Sequence, residues 1–294
     1  MPELPDITVY AECLAARCVG HVLRRAKVNN PFLLRTVTPP LASIEGATVR
    51  GVRRLGKRLV LAFEGERFLV IHLMIAGRLR WTPKSKKPPG RGPLATFEFD
   101  EGWLVFTEAG TKRRASLHLL QGEAALAAMN PGGIEVFECS LDEFAHQLRR
   151  ENHTLKRSLT DPHLFSGIGN AYSDEILHRA KLSPLALSQK LDDTAIKNLY
   201  TATREVLTEW TNRLRGEVKG GFPDKVTAFH DEMAVHGRYG LPCPVCGSPV
   251  QRIVYAENEA NYCARCQTGG KILADRALSK LLHDSWPKHI DELG

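Results

Sequence analysis

The chain has 294 residues, enough for two compact domains or for one large domain with a small appendage. Its 43% hydrophobic and 25% charged residues are those of a folded soluble protein, and the longest apolar runs, 59–63 and 68–71, have strand length, which excludes a membrane-spanning helix. With 40 Lys+Arg against 33 Asp+Glu the formal net charge is +7, which favours a polyanionic partner without naming one.

Met1-Pro-Glu-Leu-Pro5 has no basic stretch followed by an apolar one, so no signal peptide is expected and the location is read as cytoplasmic. A helix is predicted after Pro5, which suits a first helical turn, with Ile7, Tyr10 and Leu14 on one face. Strands follow. Residues 57–64 and 67–73 flank Glu64-Gly65-Glu66, and 94–99 and 103–107 flank Asp100-Glu101-Gly102, two hairpin signals. The stretch 83–93, rich in Pro, Gly and Lys, reads as a basic surface loop.

Met129-Asn-Pro-Gly-Gly133 has the composition of a linker. From Ser140 to about Arg215 the pattern is helical. Ser140 with Glu143 forms a capping box, and Asp192 to Leu214 predicts a long amphipathic helix. Between two helical stretches stands Gly167-Ile-Gly-Asn170. Its glycines allow a sharp turn and close approach of a ligand, and the N–H groups opening the next helix suit an anion, with Asn170 as an added donor. An ordinary helix–helix turn explains the same residues equally well. Residues 216–240 are Gly-rich and irregular.

Seven cysteines is an odd number. Cys13, Cys18 and Cys139 are scattered, whereas Cys243-Pro-Val-Cys246 and Cys263-Ala-Arg-Cys266 form two knuckles. Four thiolates complete a tetrahedron around one Zn²⁺ and leave no position open for chemistry, so the site is structural, in a reducing compartment. The residues between the knuckles, Val250 to Tyr262, predict a β-hairpin. The fold class is α+β, with a β-rich N-terminal domain at 1–128, a linker at 129–139, a helical domain at 140–238, a metal module at 239–274 and a tail at 275–294 that packs as a C-terminal helix.

Taken together these segments resemble the formamidopyrimidine-DNA glycosylase/endonuclease VIII family of base-excision repair enzymes. The matching pieces stand in the family's order: Met1-Pro-Glu-Leu-Pro-Asp6, Leu55-Gly-Lys57, His72-Leu-Met-Ile-Ala-Gly-Arg78, Gly167-Ile-Gly-Asn-Ala-Tyr-Ser-Asp-Glu175, and Val235-His-Gly-Arg238 through Cys266-Gln267. The resemblance implies a β-sandwich domain with an N-terminal helix, a helix–two-turn–helix domain, a zinc-finger hairpin, and a monomer acting on damaged double-stranded DNA with no membrane partner. It implies that Pro2, exposed by loss of Met1, is the nucleophile of a glycosylase and AP lyase working through a Schiff base. Glu3 is then its acid/base partner and Lys57 serves phosphate binding and elimination. His72, Asn170 and Lys156 would contact phosphate.

Five departures stand out. Asp6 occupies a position usually held by Glu. The residue that fills the gap left by the flipped nucleotide is usually Met, and Ile75 takes its place, one position after Met74. The loop that reads the opposite base lacks its Asp-Pro-Arg-Arg-Phe-Gly motif, leaving Arg113 or Arg114 in 107–115 to stand in. Asn258 replaces the hairpin arginine that grips phosphate, and the stretch 216–230, where the family recognises the flipped base, also diverges. A damaged-DNA-binding protein of the same fold with impaired catalysis is the alternative reading.

Overall fold

The computed structural model describes every residue except 88, 89, 91, 110–112, 224, 225, 227–229, 256, 257, 283, 284 and 294, and leaves out the side chains of 255, 258, 276–278 and 293 as well. By contact density the chain forms two units, Met1–Pro131 with Trp210–Thr227, and Gly132–Glu209 with Ala228–Gly294.

The first unit opens on helix α1 (Leu4–Cys18), capped by Glu3 with Pro5 in its first turn. Its buried stripe, Ile7, Tyr10, Leu14 and Cys18, enters the main core. Two four-stranded antiparallel sheets form the rest. One has the order β2 (Val49–Leu55), β3 (Arg58–Phe63), β4 (Arg67–His72), β8 (Ser116–Gln121). The other has the order β1 (Leu23–Val28), β6 (Ala95–Phe99), β7 (Gly102–Glu108), β5 (Gly77–Pro83). Both predicted hairpins form, with Phe63 opposite Arg67 and Glu98 opposite Trp103.

Inward residues of both sheets, among them Leu59, Leu61, Leu69, Phe97 and Leu104, share one buried cluster, as expected of a sandwich. Strand β3 does not alternate because both of its faces are covered. Val60 packs with Phe68, Val70 and Leu126 of α2 (Glu123–Ala127) on the outer side.

The second unit carries α3 (Leu141–Arg149), whose Ser140–Glu143 capping box is formed, then α4 (Leu155–Thr160) and α5 (Asn170–Arg179) on either side of the glycine turn. Helix α6 (Asp193–Val218) opens on Asp192, whose carboxylate accepts the N–H of Ala195 at 2.7 Å. It runs through Gly216, which the sequence reading had placed in an irregular stretch. Its last residues group with the first unit, so the helical stretch expected at 140–238 is divided between the two. Within the first unit the end of α6 is tied to α1. Arg215 forks onto the Glu12 carboxylate at 2.6 and 2.9 Å, and Arg17 donates to the carbonyls of Gly220 and Gly221. The zinc-finger hairpin is β9 (Gln251–Tyr255) with β10 (Asn258–Tyr262), followed by α7 (Ala264–Thr268) and α8 (Arg276–Leu282).

Candidate active site and DNA interface

Helix α1 places the chain start inside the first unit. Pro2 is buried and Glu3 is only 2% exposed, a rare place for a carboxylate without a task. The Glu3 N–H donates to Oδ2 of Asp6 at 2.8 Å, closing a capping box across the first turn. Burial pushes the Asp6 carboxyl up to about 7. Burial also lowers the pKa of the chain-start amine, here on Met1. Glu3 and Asp6 oppose that shift, while the charges of Arg78 and Lys57 add to it. Two carboxyl groups and two cations therefore surround the amine. Lys57 sits in the β2–β3 turn, which Gly56 makes with φ +59°.

Asp6 also lines a cavity of about 400 Å³ with Val9, Leu214, Glu217, Phe222, Pro223 and Val226, a size that accommodates a small planar ligand. Asp6→Asn gives a test of the buried proton. A carboxyl raised from 3.8 to about 7 keeps its proton in the folded chain where the unfolded chain has lost it. The folded state is therefore favoured most at low pH, and that advantage declines as pH rises from about 4 to about 7. At about 1.4 kcal/mol for each tenfold change in proton affinity, the effect amounts to a few kcal/mol. Melting curves across this window should show the wild type losing stability relative to Asp6→Asn as pH rises; parallel curves contradict the buried proton.

His72 ends β4, opposite Arg58 on one side and Ser116 on the other. Burial, then the nearby charges of Arg58 and Lys57, depress its pKa to about 4, so it meets a ligand at neutral pH as a neutral hydrogen-bonding imidazole. After His72 the chain leaves the ladder. Met74 adopts φ +53° and residues 74–76 form a turn that lifts Ile75 to 61% exposure. Arg78 donates to the carbonyls of Ile75 and Gly77, and a Cβ on Gly77 would lie 2.3 Å from the Leu73 carbonyl oxygen, so this turn requires glycine there. Arg113 and Arg114 are exposed at the far end of their loop, where Oε1 of Glu108 accepts the N–H groups of Arg114 and Ala115.

In the second unit Gly167 turns the chain with φ +81° and Gly169 caps α5, whose first residue is Asn170. The Asn170 Nδ2 donates to the Glu259 carbonyl in β10 at 2.9 Å, joining the turn to the zinc-finger hairpin. Beneath it Lys156 donates to the Asn170 carbonyl and to Asp174, both at 2.6 Å, and the other Asp174 oxygen meets Nδ1 of His236 at 2.8 Å. Glu175 accepts the N–H groups of Ala234, Val235 and His236. The Sγ atoms of Cys243, Cys246, Cys263 and Cys266 all lie within 4.8 Å of one another. A tetrahedral ion with Zn–S near 2.3 Å asks for neighbouring sulfurs about 3.8 Å apart. The pairs Cys243–Cys266 at 3.9 Å and Cys246–Cys263 at 3.3 Å fit that cage, and Nε2 of His178 lies 3.3 Å from the Cys243 sulfur as an outer hydrogen-bonding group.

Three family models match the chain: the formamidopyrimidine-DNA glycosylase N-terminal domain over residues 1–114, the H2TH domain of the same enzymes over 134–218, and the zinc finger found in FPG and IleRS over 240–269. The chain belongs to the formamidopyrimidine-DNA glycosylase family. Among its relatives, a formamidopyrimidine-DNA glycosylase of Thermus thermophilus is 34% identical over 283 residues, covering 92% of this chain and 100% of the relative. An uncharacterized formamidopyrimidine-DNA glycosylase-like protein of Mycobacterium tuberculosis is 40% identical over 163 residues, 53% of this chain and 94% of that protein. Wild-type Lactococcus lactis Fpg in complex with DNA containing N7-benzyl-Fapy-dG superposes with a TM-score of 0.79 at 25% identity, covering 91% of this chain and 100% of that one. MutM in complex with DNA containing carbocyclic 8-oxo-G gives 0.78 at 25%, with the same coverage. As a member of this family the chain is a base-excision repair DNA glycosylase with AP lyase activity, and its four-cysteine finger is the seat of one structural zinc.

Against that family frame, the first unit holds together Pro2, Glu3 and Lys57, and adds Arg78, which sequence reasoning passed over. The signal available for Arg78 was its place three residues beyond the Ile75 tip inside the matched His72–Arg78 segment. The Lys156 side chain is 10% exposed and its ammonium is engaged by Asp174 and the Asn170 carbonyl, so it braces the glycine turn from below. Of the opposite-base loop, residues 110–112 lie outside the described residues, as does the Asn258 side chain; the Asn258 backbone pairs with Tyr255.

Proposed function

We propose that Pro2, once Met1 is removed, is the nucleophile of this glycosylase and that Glu3 is its acid/base partner. The observation that carries this reading is a buried carboxyl, Glu3, directly after a buried Pro2, in a pocket that also disfavours the charged form of the chain-start amine. An α-amine near pKa 8 is a poor nucleophile while protonated, and a site that lowers its pKa supplies the free lone pair. That pair attacks C1′ of a nucleotide flipped out of the duplex, since the sugar carbon is shielded within the stack. The bond from C1′ to the base breaks, and the base leaves with its electrons and takes up the proton released from the proline nitrogen. Glu3 protonates O4′ as the sugar ring opens, giving the iminium adduct. The adduct acidifies the 2′-hydrogen, and its loss breaks the bond to the 3′ phosphate oxygen.

The cavity beside Asp6 takes the flipped oxidised or ring-opened base. Lys57, neutral His72 and Asn170 hold phosphates, and Lys57 assists elimination. Ile75, at the tip of its turn, fills the space the base has left, and Arg113 or Arg114 probes the opposite base. The enzyme acts as a monomer on damaged duplex DNA in the cytoplasm.

The test is an excision panel of duplexes bearing 8-oxoguanine, a formamidopyrimidine, an oxidised pyrimidine or an abasic site. Base release from at least one lesion, with nicking at the same position, is expected. Lesion-selective binding with no release from any duplex moves the reading to a damage-binding protein.

A further inference from the structure

The last family model stops at residue 269, and the chain continues to 294. Described residues of this continuation, among them Ile272, Leu273, Asp275 and 288–290, fold onto the zinc-finger hairpin and onto one another. Ile290, 5% exposed, shares an apolar cluster with Ile253 of β9, Tyr262 of β10 and Ala264. Asp275, 2% exposed, accepts the N–H of Val254 in β9 at 2.8 Å, and the Tyr262 hydroxyl accepts the N–H of Leu273 at 2.7 Å. The chain then returns on itself. The Ile272 N–H donates to Lys288 and the Ile290 N–H to Gly270, and the His289 ring lies so close to Gly270 that a Cβ there would come within 2.1 Å.

A two-stranded hairpin is marginal by itself, and a packed layer with buried hydrogen bonds fixes its position. What the tail fixes has a consequence at the DNA interface, because the β10 carbonyl of Glu259 receives the Asn170 side chain. We propose that residues 270–294 are a positioning brace for duplex binding: they hold β9–β10 in the register that orients Asn170 toward phosphate, in a chain whose hairpin has Asn258 in place of the family's arginine. The inference rests on the reading of Asn170 and the hairpin as DNA contacts.

The test compares full-length wild type with Ile290→Asp, which puts a charge into the apolar cluster, with the conservative Ile290→Val, and with a chain ending at Pro287. Zinc content, amide exchange of 251–262, affinity for a duplex with an abasic-site analogue, and adduct formation at saturating DNA are read for each. Ile290→Asp and the shortened chain should keep zinc, exchange the hairpin amides faster, and bind duplex about tenfold more weakly. Adduct formation at saturation should be unchanged, and Ile290→Val should behave as wild type. Unchanged exchange, unchanged affinity, or loss of zinc from Ile290→Asp overturns the brace. If wild type binds no duplex, the DNA reading itself fails, and the exchange data still report whether the tail holds the hairpin.

Discussion

Replacing Glu3 by Gln is expected to slow base excision by about 10²–10⁴, the usual worth of a positioned acid/base group, while duplex affinity stays near the wild-type value. The amide has nearly the shape of the carboxyl and still offers an oxygen at the helix N-terminus, so α1 should keep its cap. What it lacks is a proton to give to the opening sugar and a negative charge to stabilise the cationic adduct. Single-turnover excision with a parallel binding isotherm separates these effects. A wild-type rate in Glu3→Gln transfers the role to another group, and Asp6, whose Oδ2 holds the Glu3 N–H and whose carboxyl is protonated up to about 7, is the adjacent candidate.

Removing the metal is expected to have the second large effect. Structural zinc contributes roughly 10–16 kcal/mol to the folding of isolated finger peptides at neutral pH, far more than a small module can replace. Here three of the four cysteines, Cys243, Cys263 and Cys266, pack with Val235 and Val250 in one buried cluster, so the metal ties that cluster together. Cys263→Ser, or a strong chelator, should therefore loosen β9–β10, withdraw the Glu259 carbonyl from Asn170, and weaken duplex binding at least a hundredfold. Acidification should release the ion as the thiolates take up protons. The sandwich core has no cysteine ligand in it and should keep its own melting transition. Undiminished binding by the metal-free protein contradicts the role given to the hairpin.

What the sequence disclosed was whatever rests on local chemistry. The two hairpins follow from Glu64-Gly-Glu66 and Asp100-Glu-Gly102, the α3 start from Ser140 and Glu143, and the metal cage from cysteine spacing, because each is decided within a few residues. The ordered motifs disclosed the family, and the proposal of Pro2 and Glu3 as nucleophile and acid/base partner grows out of that resemblance. What stayed hidden depends on groups far apart in the chain. Nothing near Lys156 announces that its charge is taken by Asp174, 18 residues away, and a bare lysine in a helix reads as a solvated cation. Asp6 reads as an ordinary first-turn acid until the end of α6 and the stretch after it close the cavity over it. Ile75 stands just past the predicted strand 67–73, and its exposure comes from the backbone turning through the left-handed region at Met74, which no nearby residue pattern announces. The tail gave no pattern of its own, since its order comes from Ile253, Tyr262 and Gly270, which it packs against.

The central claim is that the amine of Pro2 forms the covalent bond to the damaged nucleotide. Borohydride reduction during reaction with an abasic-site duplex freezes that bond, and peptide mapping locates it. The account predicts a stable protein–DNA adduct at Pro2 in the Met1-processed enzyme, which Pro2→Gly diminishes and an unprocessed Met1 form does not make. An adduct mapped to a lysine such as Lys57, or full trapping by the Met1 form, contradicts it.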